Sequence, residues 1–337
     1  MERSKALFRN GPTDVAAAGI PGDVILMKIL TPEQLVLQRG GRESGTVGIQ
    51  FSEVDTNRPF MPEQYTQLYH TSLYEELSTL QRLRYNQLFG ARANEQFMLF
   101  ESGFTNTVMA NLQRLDMIRN KESLAKCLNI LLEEEKNHYN MFMALNMKCM
   151  PEIYQYKKYH FIRLSWFERT LLTVACRYPQ HLISLLWLVL IMEEHAVRFS
   201  KDVVKRVQTD NLGELEANFV LAHQMHLKDE AGHVHIDANI IDFVLDRSSP
   251  RKKVANVGLL KRLLQATLRP KHAGINVVRQ LVKERPELDQ KSRNLVNSIR
   301  EFTYDPCMTS MFEDRSQMPM TTALLQLYPE FERSMLI

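Results

Sequence analysis

Two stretches decide the reading of this chain: Leu131-Leu132-Glu133-Glu134-Glu135-Lys136-Asn137-His138 and His226-Leu227-Lys228-Asp229-Glu230-Ala231-Gly232-His233. Each places a Glu three residues before a His within a helical pattern. Positions i and i+3 share a helix face, so Glu135 with His138, and Glu230 with His233, can each grip one ion. One such pair is a weak signal, because Glu is common in helices. Two pairs are stronger when apolar neighbours place them on core faces. Leu131, Leu132 and Phe142 flank the first, and Met225, Leu227 and Ile236 flank the second. A buried carboxylate is costly unless it is paired or bound to metal.

A four-helix di-metal site needs one further Glu from each of two other helices. Glu193 follows the apolar run Leu182–Met192. With Glu193 inward, Val189, Leu190, Ala196 and Val197 share its face. With Glu194 inward, Arg198 and Lys201 would enter the core, so Glu193 is preferred. The fourth carboxylate lies in Ala93-Asn94-Glu95-Gln96-Phe97-Met98-Leu99-Phe100-Glu101. Glu95 shares a face with Ala91, Met98 and Leu99, and Glu101 with Phe97, Met98 and Phe104. Periodicity does not separate them. Taken with Glu95, the order Glu95, Glu135-x-x-His138, Glu193, Glu230-x-x-His233 is that of a ferritin-like di-metal bundle. His226 stands at i relative to Glu230 at i+4 and His233 at i+7, on one face, and offers a third imidazole. Glu133 and Glu134 read as a solvated face, and His235 as structural or exposed.

Composition agrees with an all-α chain. Of 337 residues, 45% are hydrophobic, and 13 Gly and 13 Pro are too few for a turn-dense β protein. The net charge of +3 gives no basic surface for nucleic acid. Cys127, Cys149, Cys176 and Cys307 form no C-x-x-C pair, so reduced thiols in a cytoplasmic protein are expected. No signal peptide is evident at the N-terminus. The run Leu182–Met192 is too short to cross a bilayer, which takes about 20 apolar residues, and reads as a buried helix. Three regions are expected. Residues 1–60 are an irregular N-terminal segment with a short strand at Val24–Leu30 or Thr46–Phe51. Residues 61–250 are the bundle of long helices. Residues 251–337 are C-terminal helices and a tail packing on it.

The His226–His233 run, with Glu135-x-x-His138 and the Glu95-Gln96 pair that follows Tyr85-Asn86, resembles the para-aminobenzoate N-oxygenase (AurF-like) family over roughly residues 65–245. The resemblance implies a non-haem di-iron centre that uses O₂ to oxidise an arylamine towards the nitro group. It implies Glu95 as the first ligand, through the Glu-Gln pair, and His226 as the additional histidine. Asp229 would orient a ligand histidine from behind. The spacing from Glu193 to His226 leaves the Glu193/Glu194 choice open.

Four carboxylates and two or three imidazoles suit iron or manganese, and two divalent ions would neutralise the four carboxylates. On this reading O₂ binds between two reduced irons as a peroxo-di-iron species that passes oxygen to a small-molecule substrate. A reductase supplies electrons, and the protein is a homodimer. Three other functions share the plan. One is oxidation at carbon. Another is the radical-generating ribonucleotide reductase small subunit, disfavoured because Phe142 stands where that family has Tyr. The third is iron storage, whose subunits are much shorter.

Overall fold

The computed structural model describes residues 28–39, 44, 46–267, 271–302 and 314–335. Among them the structure is helical, with no strand and one isolated bridge between Gln208 and Glu214. The expected strand at Thr46–Phe51 does not form. Val47 closes a turn onto Ser44, and Gly48 takes a positive φ of 72°, which interrupts an extended backbone. Of Val24–Leu30, only Lys28–Leu30 belong to the described residues, and they are not in a strand. The tail beginning at Thr303 lies outside them as far as residue 313.

A short helix α1 (Pro32–Arg39) precedes α2 (Thr79–Met98). Ser78 opens α2 with a capping box: its hydroxyl accepts from Gln81 N–H while the Gln81 side chain accepts from Ser78 N–H. The chain then winds into a π-helical segment, Leu99–Thr105, before α3 (Asn106–Gln113). Next come α4 (Glu122–Cys149) and the short α5 (Trp166–Cys176). The helix α6 (Ile183–Lys205) is buried from Ile183 to Ile191, as its apolar run requires. Glu216 caps α7 (Ala217–Asp246) by accepting from Asn218 and Phe219 N–H. The C-terminal region supplies α8 (Pro250–Thr267), α9 (Lys271–Glu284), α10 (Ser292–Phe302) and α11 (Pro319–Leu327).

The bundle consists of α2 with its π extension, α4, α6 and α7. Helix α6 packs along α7, α4 on both α2 and α7, α8 on α6, and α9 on α2. Helix α1 lies against α4 and α7.

Two apolar clusters fill the interior. One takes Leu124–Leu131 of α4, Ile183–Ile191 of α6 and Val234–Leu245 of α7. The other takes Tyr85–Met98 of α2, Met141–Cys149 of α4 and Phe219 and Ala222 of α7. Residues 132–140 of α4 and 223–233 of α7 fall between these clusters. The Glu-x-x-His pairs are therefore held in a polar layer sandwiched between two apolar cores.

Candidate metal centre

Six side chains meet in that layer, each at most 1% exposed: Glu101, Glu135, His138, His226, Glu230 and His233. They form two overlapping groups, in each of which one donor atom per residue lies within 4.8 Å of all the others. Glu101, His138, His226 and Glu230 make one, and Glu135, His138, Glu230 and His233 the other. Glu230 sits at the hinge: its Oε1 is 3.2 Å from His138 Nδ1, 3.0 Å from His226 Nε2 and 3.3 Å from His233 Nδ1. His233 Nδ1 is also 3.0 Å from Glu135 Oε1.

The donor set fits metal on an observation independent of its spacing. Both oxygens of Glu135 and of Glu230, Oε2 of Glu101, Oε1 of Glu193 and Nδ1 of His138 and His233 are buried with no hydrogen-bond partner. Leaving so many polar atoms unsatisfied in one place would cost several kcal/mol of folding free energy. Metal–ligand bonds of about 2.0–2.2 Å set neighbouring donors about 3 Å apart around an octahedral ion, which matches the separations seen.

The expectation of Glu95 as the first ligand is corrected. Glu95 does not face the centre. Its carboxylate accepts from the backbone N–H groups of His160, Phe161 and Ile162 at 2.7–3.1 Å and from the Tyr154 hydroxyl at 2.7 Å. It anchors the 160–162 segment, and Glu101 takes the place beside His226, with Oε1 2.9 Å from His226 Nε2. Six residues separate the two, so on a regular α-helix they point about 120° apart, and only one can look inward. Glu101 lies inside the π segment Leu99–Thr105, a wider turn of the kind that recurs at functional sites. The nearest sequence signal is Ser102-Gly103, two poor helix formers within a long helical run.

Glu193 and Glu194 turn to different neighbours. Glu194 turns to α11, accepting from Met320 N–H at 2.6 Å and Thr321 N–H at 2.9 Å. Glu193 is in neither donor group, but it faces the centre. Burial, and then the carboxylates of Glu230 and Glu135, push its pKa far above the usual carboxylate range.

The outer nitrogens of two site histidines meet carboxylates. His138 Nε2 is 3.2 Å from Asp229 Oδ2, and His233 Nε2 is 2.9 Å from Glu134 Oε2. A carboxylate only accepts, so each pairing makes Nε2 the protonated nitrogen and aims the Nδ1 lone pair inward. Ser44 Oγ donates to Asp229 Oδ2 at 2.7 Å. Asp229 thus lies behind a site histidine, the place the resemblance implies for it. Glu134, expected on a solvated face, is instead buried at 7% exposure while its neighbour Glu133 is exposed. His226 is held differently, with Nδ1 3.1 Å from Ser200 Oγ, which also lies 3.2 Å from His223 Nδ1. His235 is structural: its Nδ1 accepts from Leu30 N–H at 3.3 Å.

The centre's electrostatics are those of charges crowded out of water. Burial lifts Glu101 to about 7, against the pull of His226. Burial would lower His138, but its bond to Asp229 and the nearby carboxylates of Glu230 and Glu101 outweigh that and raise it to about 10. Burial also opposes the charge on Glu230, yet His226 and His233 hold it well below the carboxylate range. Without metal, protons take the place of cations at these donors.

A helical bundle whose four main helices bring carboxylates and imidazoles into a dry layer is the architecture of the di-metal carboxylate proteins. The family model of p-aminobenzoate N-oxygenase AurF matches residues 51–304, and this chain belongs to that family of di-iron N-oxygenases. No curated protein and no solved structure matches it at a significant level. No helix among the described residues is long and apolar enough to cross a membrane.

Proposed function

We propose that this protein is an O₂-dependent non-haem di-iron oxygenase that oxidises an amine nitrogen on a small aromatic substrate. The observation that carries the reading is the convergence of unpartnered carboxylate oxygens and imidazole Nδ1 atoms in one buried layer. Glu101, Glu135, His138, Glu193, His226, Glu230 and His233 would hold two iron ions. When bound, the pair of irons supplies the chemistry of O₂ activation.

The chain's own residues do the rest. Asp229 and Glu134 keep protons on the outer nitrogens of His138 and His233. Ser200 accepts from His226 Nδ1–H and turns its own proton to His223 Nδ1, which is buried and holds no charge: burial, then His226, drives its pKa far down. Phe97, Phe142 and Phe199 close the side of the centre next to His226, with ring centroids of Phe97 and Phe142 at 5.2 and 5.1 Å from the imidazole. This wall excludes water and suits the flat face of an arylamine. Phe142 offers no phenol to oxidise, which argues against a tyrosyl-radical function. Inserting one oxygen atom from O₂ and releasing the other as water takes two electrons, so we also propose a separate reductase. We also propose a cytoplasmic homodimer.

Anaerobic loading with ferrous iron, followed by O₂ and a panel of arylamines, tests the proposal. Two irons retained per chain and mass-spectrometric detection of hydroxylamine, nitroso or nitro products are expected. Protein that retains no transition metal, or loaded protein that oxygenates only carbon, would overturn it. Hundreds of irons per assembly would indicate storage.

A further inference from the structure

Arg39 belongs to neither the four bundle helices nor the residues matched by the family model. Its guanidinium nevertheless reaches behind the centre. Nη1 donates to Glu134 Oε2 at 2.7 Å, and Nη2 donates to the Asp229 carbonyl at 2.8 Å and lies 3.7 Å from Asp229 Oδ1. Glu134 and Asp229 are the two carboxylates that meet the outer nitrogens of His233 and His138. The guanidinium rests on α7 where Gly232 carries no side chain. A Cβ there would stand 2.6 Å from Arg39 Cζ and 2.7 Å from Nη1, closer than atoms can approach.

We propose that Arg39 is a positioning residue for the centre, acting through Glu134 and Asp229 on two imidazoles at once, and that residue 232 is glycine to admit it. The inference rests on the di-iron reading above. One planar, permanently charged group holds the Glu134 carboxylate and the Asp229 backbone carbonyl, and draws off part of the negative charge of both carboxylates. Without it, the Glu134 carboxylate is free to swing away from His233, and Asp229 is left to Ser44 alone for its support. Each also holds more charge against the Nε2–H, and this changes how strongly Nδ1 donates inward. A lysine cannot reproduce the effect, because its single ammonium group lacks the fork that spans both partners.

A purely structural role makes the opposite prediction for Gly232. Gly→Ala within a helix favours the helix, and the obstructing atoms are the far end of one flexible side chain. On that view Gly232→Ala leaves ligand binding alone. On the proposed view the variant melts, metal-free, at or above the wild-type temperature and, once loaded, still loses its metal sooner.

The test loads wild type, Arg39→Gln, Arg39→Lys, Gly232→Ala and the Arg39→Gln/Gly232→Ala double variant with ferrous iron under anaerobic conditions. An excess of a colour-forming ferrous chelator is added and iron release is timed, with thermal melts of the metal-free proteins alongside. Arg39→Gln and Gly232→Ala should each release iron about tenfold faster, the low end for loss of such an outer partner. Arg39→Lys should fall between them and wild type. The double variant should be no faster than Arg39→Gln alone, because the methyl added at position 232 then has no guanidinium to displace. Release at the wild-type rate from both single variants, or effects that multiply in the double variant, overturns the inference. If Arg39→Gln fails to fold, Gly232→Ala alone decides. Wild-type protein that takes up no iron overturns the di-iron reading and this inference with it, whereas wild type that keeps two irons beside unaffected variants overturns only this inference.

Discussion

The bundle buries two sets of glutamates, and they are satisfied in opposite ways. Glu63, Glu95, Glu194 and Glu216 each accept from backbone N–H groups. Asn211 donates to the first, the 160–162 segment to the second, the start of α11 to the third and the first turn of α7 to the fourth. Glu101, Glu135, Glu193 and Glu230 each keep at least one oxygen with no partner. Every one of the eight is at most 4% exposed. Burial of a carboxylate is therefore no sign of metal in this protein. The sign is a missing donor, and it is concentrated in the layer between the two apolar cores. The first set ties loops and helix ends to the bundle, and the second waits for a cation.

The largest effect should come from Glu230, whose Oε1 is near all three site histidines. Glu230→Ala removes a member of both donor groups, and elemental analysis should find the metal content falling from two ions per chain to essentially none. A variant that keeps both ions would show that the shared position is not a ligand.

A matched pair of substitutions tests the comparison most directly. Glu95→Gln puts an amide nitrogen where two backbone N–H groups need an acceptor, and should cost about 1–3 kcal/mol in denaturant unfolding while metal content is unchanged. Glu101→Gln can put its amide nitrogen at Oε2, which has no partner, and keep an oxygen at Oε1 beside His226. The metal-free protein should then unfold within about 0.5 kcal/mol of wild type, while loaded protein loses an ion. If the two phenotypes are exchanged, the resemblance's choice of Glu95 is restored.

That correction shows where sequence stops. The long helices and the inward faces of Glu135, His138, Glu230 and His233 follow from apolar periodicity, and periodicity holds wherever the helix is regular. Glu193 is legible for the same reason. Glu101 is not separable from Glu95, because a π segment breaks the 3.6-residue repeat that such arguments assume. Arg39 is invisible because its partners lie on other helices, far along the chain, and no local pattern encodes such an encounter. Glu134 looks solvated until Arg39 and His233 are placed around it.

Acidity sharpens the comparison by a smaller margin. The pKa of His138 in the metal-free fold is raised to about 10 from an ordinary 6.5; burial works against this, and the bond to Asp229 with the nearby Glu230 and Glu101 carboxylates produces it. A folded value above the unfolded one means that its stabilising contribution is complete below pH 6.5 and drains away as pH rises towards 10. His226 and His233 shift the same way, against burial, through Glu230 and its neighbours. Metal-free protein should therefore melt at progressively lower temperature from about pH 6.5 to about pH 9. Iron- or manganese-loaded protein should not, because binding requires the deprotonated donors and strengthens as protons leave. Equal slopes for the two forms would mean that protons and metal do not compete for these groups.

The smallest effect separates adjacent residues. Glu133 is exposed, whereas Glu134 accepts from Arg39 and meets His233 Nε2. Glu133→Gln should leave unfolding within about 0.5 kcal/mol of wild type and metal retention unchanged. Glu134→Gln keeps an acceptor of the same shape but removes the charge that balances Arg39 and holds the outer proton of His233. Metal affinity should fall by about tenfold, the lower end for loss of such an outer partner, measured by competition with a chelator of known affinity. Because Asp229 still supports His138, the deficit should be confined to the position His233 serves, and the titration should resolve one weakened ion and one unchanged. Equal weakening of both ions would mean that Arg39 couples the two carboxylates so tightly that neither histidine can be perturbed alone.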